Sequence, residues 1–206
     1  MIRPPAFRGA AFGDAGDDTE DESGRVSISN RLGISVNWGR LRQVHGRGVV
    51  RARGAGVLGE ADAAFTTEVG LPLAVYTADC FPVIIEGAGG IGIAHAGWRG
   101  AAAGVVAGLR TAMVEAGIDP LRAAVGPGIG PCCFEVGPDV ARRFPGCEAT
   151  TTWGTVAVDL RAAIVADLAH LEVWVADACT MCGDGYHSFR RDRTSDRQAT
   201  VAWLPV

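Results

Sequence analysis

Three side chains in this sequence have the chemistry to hold one soft metal ion between them. His45 stands in Arg42-Gln43-Val44-His45-Gly46, Cys80 in Thr77-Ala78-Asp79-Cys80, and His95 in His95-Ala96-Gly97-Trp98-Arg99-Gly100. A thiolate and two imidazoles suit zinc or copper, and three protein donors leave a coordination position open for water or substrate, as catalytic zinc requires. The three lie 35 and 15 positions apart, too far for a local metal knuckle. Placement carries the reading instead. Each stands at or just beyond the end of a strand-like run, where side chains of layered α/β folds converge on a ligand. Taken singly, each also fits a quieter role: a core histidine bonded to a carbonyl, or an inert buried thiol.

The elements that would position these residues are short. Val26 to Ser29, Ile34 to Trp38 and Val49 to Val50 read as β-type runs. Leu73 to Thr77 and Val83 to Ile85 are stronger strands, parted by the turn-like Ala78 to Pro82, and Ile91 to Ala94 follows as a buried strand. A helix is expected from about Ala101 to Ala116, with Val105, Leu109, Ala112 and Met113 on one face and Gly117 as its stop. Ala123 to Val125 is a strand running into Gly-Pro-Gly-Ile-Gly-Pro at 126 to 131. Helices near Pro138 to Phe144 and Asp159 to Leu171, and strands at Glu172 to Ala176 and Thr200 to Leu204, complete a mixed α/β pattern without repeats. Residues 14 to 24 are acidic and turn-prone, the composition of a solvated loop.

A chain of 206 residues can bury one sizeable core without staples. Ala and Gly supply much of the apolar content, and no run approaches the ~20 apolar residues of a membrane span. The N-terminus has no continuous apolar stretch of the secretory kind, so a cytoplasmic protein is expected. The net charge is −4 and all 19 basic residues are Arg, scattered along the chain; no basic stripe offers itself to nucleic acid. The six cysteines are expected as thiols.

The strings QVHG, ADAAFTTEVGLPLAVYTADCFPVII, IGIAHAGWRGAAAGVV and VGPGIGPCCFEVGPDV resemble the laccase-domain family, also called YfiH-like or polyphenol-oxidase-like proteins. The similarity runs from about Asn30 to the end and includes Cys179-Thr180, His187 to Asp192 and the closing Arg-Gln-Ala. What the resemblance implies is a single-domain, layered α/β/β/α sandwich of mixed sheets. It implies that His45, Cys80 and His95 bind one zinc, with copper the less favoured metal, and carry catalysis. It implies purine nucleoside chemistry: phosphorolysis of adenosine, inosine, guanosine or methylthioadenosine, with adenosine deamination in the same pocket. The expected partners are a small purine nucleoside and phosphate, with no nucleic acid and no membrane, in a monomer or weak homodimer. The N-terminus departs from the family pattern, so residues 1–24 are expected as a divergent, partly flexible segment ahead of a catalytic domain at 25–206. Only Gly16-Asp17-Asp18 and Asn30-Arg31 resemble the usual N-terminal motif. Arg193 and Asp196 stand where two glycines are usual.

Within that chemistry, Asp79 beside Cys80 is the candidate proton shuttle, or else an orienting residue. Arg99, ahead of a helix starting near Ala101, could share a phosphate with helix N-terminal amides. Asn30, Arg31 and Gly128 are assigned to the substrate side of the pocket, Gly128 as part of its wall. Arg190 and Arg191 read as a solvated cationic pair. Cys132 and Cys133 receive no role. Cys179 to Cys182 has the CxxC spacing without a second CxxC, so a zinc ribbon is not expected. Three other functions stand beside the nucleoside reading: Cys80 as a nucleophile with His95 as base, acting on an amide or peptidoglycan-precursor bond; a copper-dependent polyphenol oxidase, which His170 and His187 could scarcely furnish with further ligands; and a non-catalytic binding module.

Overall fold

The computed structural model describes residues 1–17 and 22–206. Asp18 of the Gly-Asp-Asp triplet, and with it part of the acidic 14–24 stretch, lies outside the described residues. The chain opens with β1 (Ala10–Phe12), α1 (Glu22–Leu32), β2 (Gly39–Arg42), β3 (Val49–Ala52), β4 (Gly56–Glu60) and β5 (Ala63–Thr66). Then come β6 (Leu73–Thr77), β7 (Phe81–Gly87), β8 (Gly90–Ala96), α2 (Trp98–Ala102), α3 (Val105–Glu115) and β9 (Pro120–Val125). It closes with α4 (Pro138–Ala141), β10 (Glu148–Thr150), β11 (Val156–Val158), α5 (Leu160–Asp167), β12 (Glu172–Val175), α6 (Phe189–Asp192) and β13 (Gln198–Ala202).

Two mixed sheets stack face to face. One runs β1-β13-β6-β2-β4, the other β12-β9-β7-β8-β5-β3, and β10 and β11 form a separate hairpin. The period of two along each strand divides the apolar side chains between layers. Ile84, Ile91, Ile93 and Ala124 meet Phe12, Leu41, Leu73 and Val75 between the sheets. On the far side of the six-stranded sheet, Val83, Ile85, Ala94 and Val125 pack under Val105, Leu109 and Met113 of α3 and Leu160 and Ile164 of α5. On the far side of the other sheet, Ala74, Ala199 and Val201 meet Ile28 of α1 and Trp38. The result is the expected α/β/β/α order. Among the described residues, no helix is long and apolar enough to cross a membrane.

Several local expectations give way. Val26 to Ser29 is helix, not strand: α1 buries Ile28 and Ser29, and the Trp38 indole N–H donates to the Ser29 hydroxyl at 3.0 Å. The β-branched and serine content of this segment mimics a strand, and docking on the sheet decides otherwise. Ile34 to Trp38 is a bend that delivers the Trp38 ring to the core. The helix expected from Ala101 to Ala116 begins at Trp98 and breaks at Gly104, whose φ of 80° no continuous helix accepts. Nor does a boundary at residue 24 divide the chain. Ala10, Ala11 and Phe12 are fully buried, β1 completes the edge of its sheet against β13, and α1 runs across residue 24.

Candidate active site and metal centre

The alternation that builds the interlayer core also aims the candidate ligands. His95 shares its face of β8 with Ile91 and Ile93, and so points between the sheets at their open end. Cys80 immediately precedes β7, whose Pro82 pairs with His95. His45 lies just beyond β2, on a turn held by two devices. The Gln43 side chain carries the β2–β6 pairing past the end of the strand, donating to the Tyr76 carbonyl and accepting from the Tyr76 amide, both at 2.8 Å. The carboxylate of Asp62 accepts amide hydrogen bonds from Val44, His45 and Gly46, at 3.3, 2.9 and 2.6 Å. Those three bonds keep His45 in the left-handed region, at a φ of 57°.

The ligand atoms of His45, Cys80 and His95 all lie within 4.8 Å of one another. The two imidazoles meet edge to face, with ring centres 4.7 Å apart. Close approach of the chain at Gly97 makes this possible, because a Cβ there would stand 2.8 Å from the Cys80 sulfur and 3.2 Å from the His45 ring. His95 is buried, Cys80 half-buried and His45 exposed, so the cluster closes toward the core and opens toward solvent. Asp62, itself fully buried, sits 2.8 Å from His95 Nδ1. A carboxylate only accepts, so Nδ1 carries the proton and Nε2 is free to ligate. Burial pushes the Asp62 carboxyl up, but the hydrogen bonds from His95 and Gly46 outweigh it and hold the group below the usual range. Burial likewise opposes the Cys80 thiolate, yet hydrogen bonds to His45 and His95 bring the thiol down to about 6. His95, disfavoured as a cation by burial, is pushed up to about 9 by Asp62 and Cys80. A soft thiolate, two imidazoles and a carboxylate fixing one of them make a donor set that fits a single zinc-class ion with one position open.

The cluster forms part of the floor of a cleft of about 640 Å³. Tyr76, Phe134 and Phe189 give it aromatic walls, and Arg99, Arg190, Arg193 and Arg197 give it cations. Among the described residues Arg99, Arg193 and Arg197 pair with no carboxylate. Their guanidinium groups rest on rings instead: Arg99 over Trp98 at 4.4 Å, Arg193 and Arg197 over Phe189 at 5.4 and 5.9 Å. Arg193 takes a φ of 55°, the left-handed conformation that favours glycine.

The remaining candidates are sorted by their contacts. Asp79 lines the cleft, but both its oxygens are engaged: Oδ1 accepts from the Thr180 hydroxyl at 2.8 Å and Oδ2 from the Arg190 amide at 2.6 Å. Its contacts are those of an anchor for α6. Arg99 faces the cleft from the first turn of α2 rather than from ahead of a helix. Gly128 packs under the Phe81 ring, where a Cβ would approach to 2.5 Å, and so backs the pocket wall. Asn30 and Arg31 lie on α1 and are absent from the described lining; Arg31 pairs with the buried Asp17 instead. Of the pair read as solvated, Arg191 is exposed and Arg190 is half-buried. Arg190 lines the cleft and donates to the Glu135 carbonyl at 2.9 Å, while Arg191 donates to the carbonyls of Thr180, Met181 and Tyr186. Asp62 is the principal omission of the sequence reading. Its only signal there was a carboxylate inside the otherwise apolar run Ala-Asp-Ala-Ala-Phe.

Residues 6–205 match the family described as multi-copper polyphenol oxidoreductase laccase. The chain is 39% identical to purine nucleoside phosphorylase ORF3 of Streptomyces griseus, covering 95% of this chain and 85% of that protein. It is 32% identical to purine nucleoside phosphorylase YfiH of Escherichia coli K12, again over 95% and 85%. The crystal structure of YlmD from Geobacillus stearothermophilus superposes with a TM-score of 0.85 at 26% identity, covering 98% of this chain and 94% of that one. This chain therefore belongs to the laccase-like, YfiH-type family.

Proposed function

We propose that this protein is a zinc-dependent purine nucleoside phosphorylase of the cytoplasm, with adenosine deamination in the same cleft. The observation that carries the reading is the His45–Cys80–His95 cluster on the floor of a cleft with aromatic walls and four arginines, three of which pair with no carboxylate among the described residues. The names of the relatives from Streptomyces griseus and Escherichia coli support it. Phosphorolysis joins a phosphate oxygen to the anomeric carbon of the ribose and breaks its bond to the purine, which leaves with a proton. Arg193, Arg197 and Arg99 are the residues to hold the phosphate, and the Phe134 and Phe189 rings offer faces to the base. Asp79 fixes Arg190 in the same wall through the backbone. When bound, zinc supplies a Lewis acid with one open position, the chemistry that water activation in deamination requires. His45, Cys80 and His95 are the only histidine-containing group of ligands brought together among the described residues, and neither His170 nor His187 joins it. That ligand count favours one zinc over a multi-copper oxidase.

Liquid chromatography of products from a nucleoside panel, with and without phosphate, tests the proposal. Base release from inosine or adenosine should require phosphate, and Cys80→Ala should lower kcat/KM by on the order of 10²–10⁴-fold, the scale of a lost catalytic group. A mutant with wild-type turnover would remove Cys80 from the mechanism. One second reading has its own support: Cys80, held near 6, sits beside His95, which Asp62 orients, an arrangement that also serves a thiol nucleophile and its base. Full activity of metal-depleted protein would favour that hydrolase.

A further inference from the structure

The turn carrying Cys179 and Cys182 and the loop carrying Cys132 and Cys133 are 46 or more positions apart in the chain, and the fold brings them face to face. The missing partner of the CxxC is thus a pair of adjacent cysteines. We propose that Cys132, Cys133, Cys179 and Cys182 form a second metal site, a structural tetrathiolate that binds one zinc ion and clamps the loop at 126–134 to the turn at 179–183.

Four observations carry this. The four sulfurs all lie within 4.8 Å of one another, and Cys132 and Cys182 are 3.7 Å apart. That separation is far beyond the ~2.05 Å of a disulfide. It matches the edge of a tetrahedron of sulfurs around zinc, about 3.8 Å for Zn–S bonds of about 2.3 Å. Second, the turn is shaped as a ligand knuckle. The Gly183 amide donates to the Cys179 carbonyl at 2.8 Å, and a Cβ on Gly183 would meet that oxygen at 2.6 Å, so the residue after the CxxC must be glycine. Third, backbone amides of Gly130, Met181 and Cys182 are directed at the Cys179 sulfur, the Gly130 contact being 3.2 Å. Amides so directed offset thiolate charge at a metal centre. Fourth, Arg191 donates to the carbonyls of Thr180 and Met181, inside the CxxC, placing a guanidinium beside the site.

Zinc binding here converts the four thiols to thiolates and passes their protons to solvent, leaving a complex of net charge −2 that the amides and Arg191 face. The site touches the cleft only through structure. Thr180, between the two knuckle cysteines, bonds Asp79, and Gly128 pairs with Cys179. Zinc would therefore rigidify one wall of the cleft without meeting substrate.

Metal analysis of the full chain, expressed without added metal and desalted, tests the proposal. Two zinc ions per chain are expected. Cys182→Ala, at an exposed position, should retain one. His45→Ala, on the exposed side of the other cluster, should also retain one, and the double variant none. Cobalt-loaded His45→Ala should show the intense visible bands of a tetrahedral thiolate complex, and these should be gone in the double variant. Two zinc ions in Cys182→Ala would overturn the proposal, as would none in His45→Ala, iron in place of zinc, or a Cys132–Cys182 disulfide in non-reducing peptide maps. Absence of phosphorolysis would leave these metal counts unchanged, so the two proposals fail separately.

Discussion

Asp62 holds two of the three candidate ligands with one carboxylate: it fixes the His95 ring through Nδ1 and the His45 turn through three amides. Asparagine at this position keeps the shape but turns an NH2 group toward N–H donors. Asp62→Asn should weaken zinc binding at the His45 cluster by about 10–100-fold, the usual effect of losing a ligand's carboxylate partner. It should also cost about 1–3 kcal/mol of stability for the buried groups left unsatisfied. Competition with a chromophoric chelator measures the first effect and urea unfolding the second. A fall in stability with unchanged zinc affinity would show that Asp62 supports the turn alone.

At the scale of elements, the break between α2 and α3 sets the direction of both. Gly104 takes a φ of 80° with open space where a Cβ would go, so its cost on substitution is conformational rather than steric. Gly104→Ala should destabilise the protein by about 1 kcal/mol in denaturant titrations, while leaving the cleft's ligands in place. An unbroken helix running from Trp98 could not keep Arg99 stacked at the cleft and also lay Leu109 and Met113 on the six-stranded sheet. The glycine between them was visible in the sequence, but the apolar spacing on either side continued in helical phase and concealed the break.

At the scale of the molecule, Glu86 places a half-buried carboxylate in the middle of the six-stranded sheet. Among the described residues its Oε2 has no hydrogen-bond partner, and Arg122 reaches it only at 4.0 Å. Burial pushes its carboxyl above the usual range, against a smaller opposing effect of Arg122. The folded state thus binds the proton more tightly than the unfolded state. Stability from this group is present below the ordinary glutamate range, near ~4.3, and is lost as pH rises through that value toward the raised one. Glu86→Gln should therefore raise the thermal midpoint at pH 7 relative to wild type, with the gain shrinking toward pH 4. A gain that grew on acidification would contradict this assignment.

The sequence by itself determined the candidate ligands His45, Cys80 and His95, through motifs shared with a family as much as through residue type, and the strands with clean alternation, because those are written in a period of two. Leu73 to Thr77 is that strand, residue for residue. It could not determine which distant segments meet. Val26 to Ser29 became helix because the sheet gives Ile28 a place to dock, and β1 became a buried edge because β13 stands ready to pair with it. The clearest cases are side chains. Asp62 acquires its role only when antiparallel pairing sets β5 beside β8, and the CxxC finds its second pair of thiols only when the fold carries residue 132 to residue 182. Tertiary pairing decides such contacts because nothing in a local window records which strand will lie alongside.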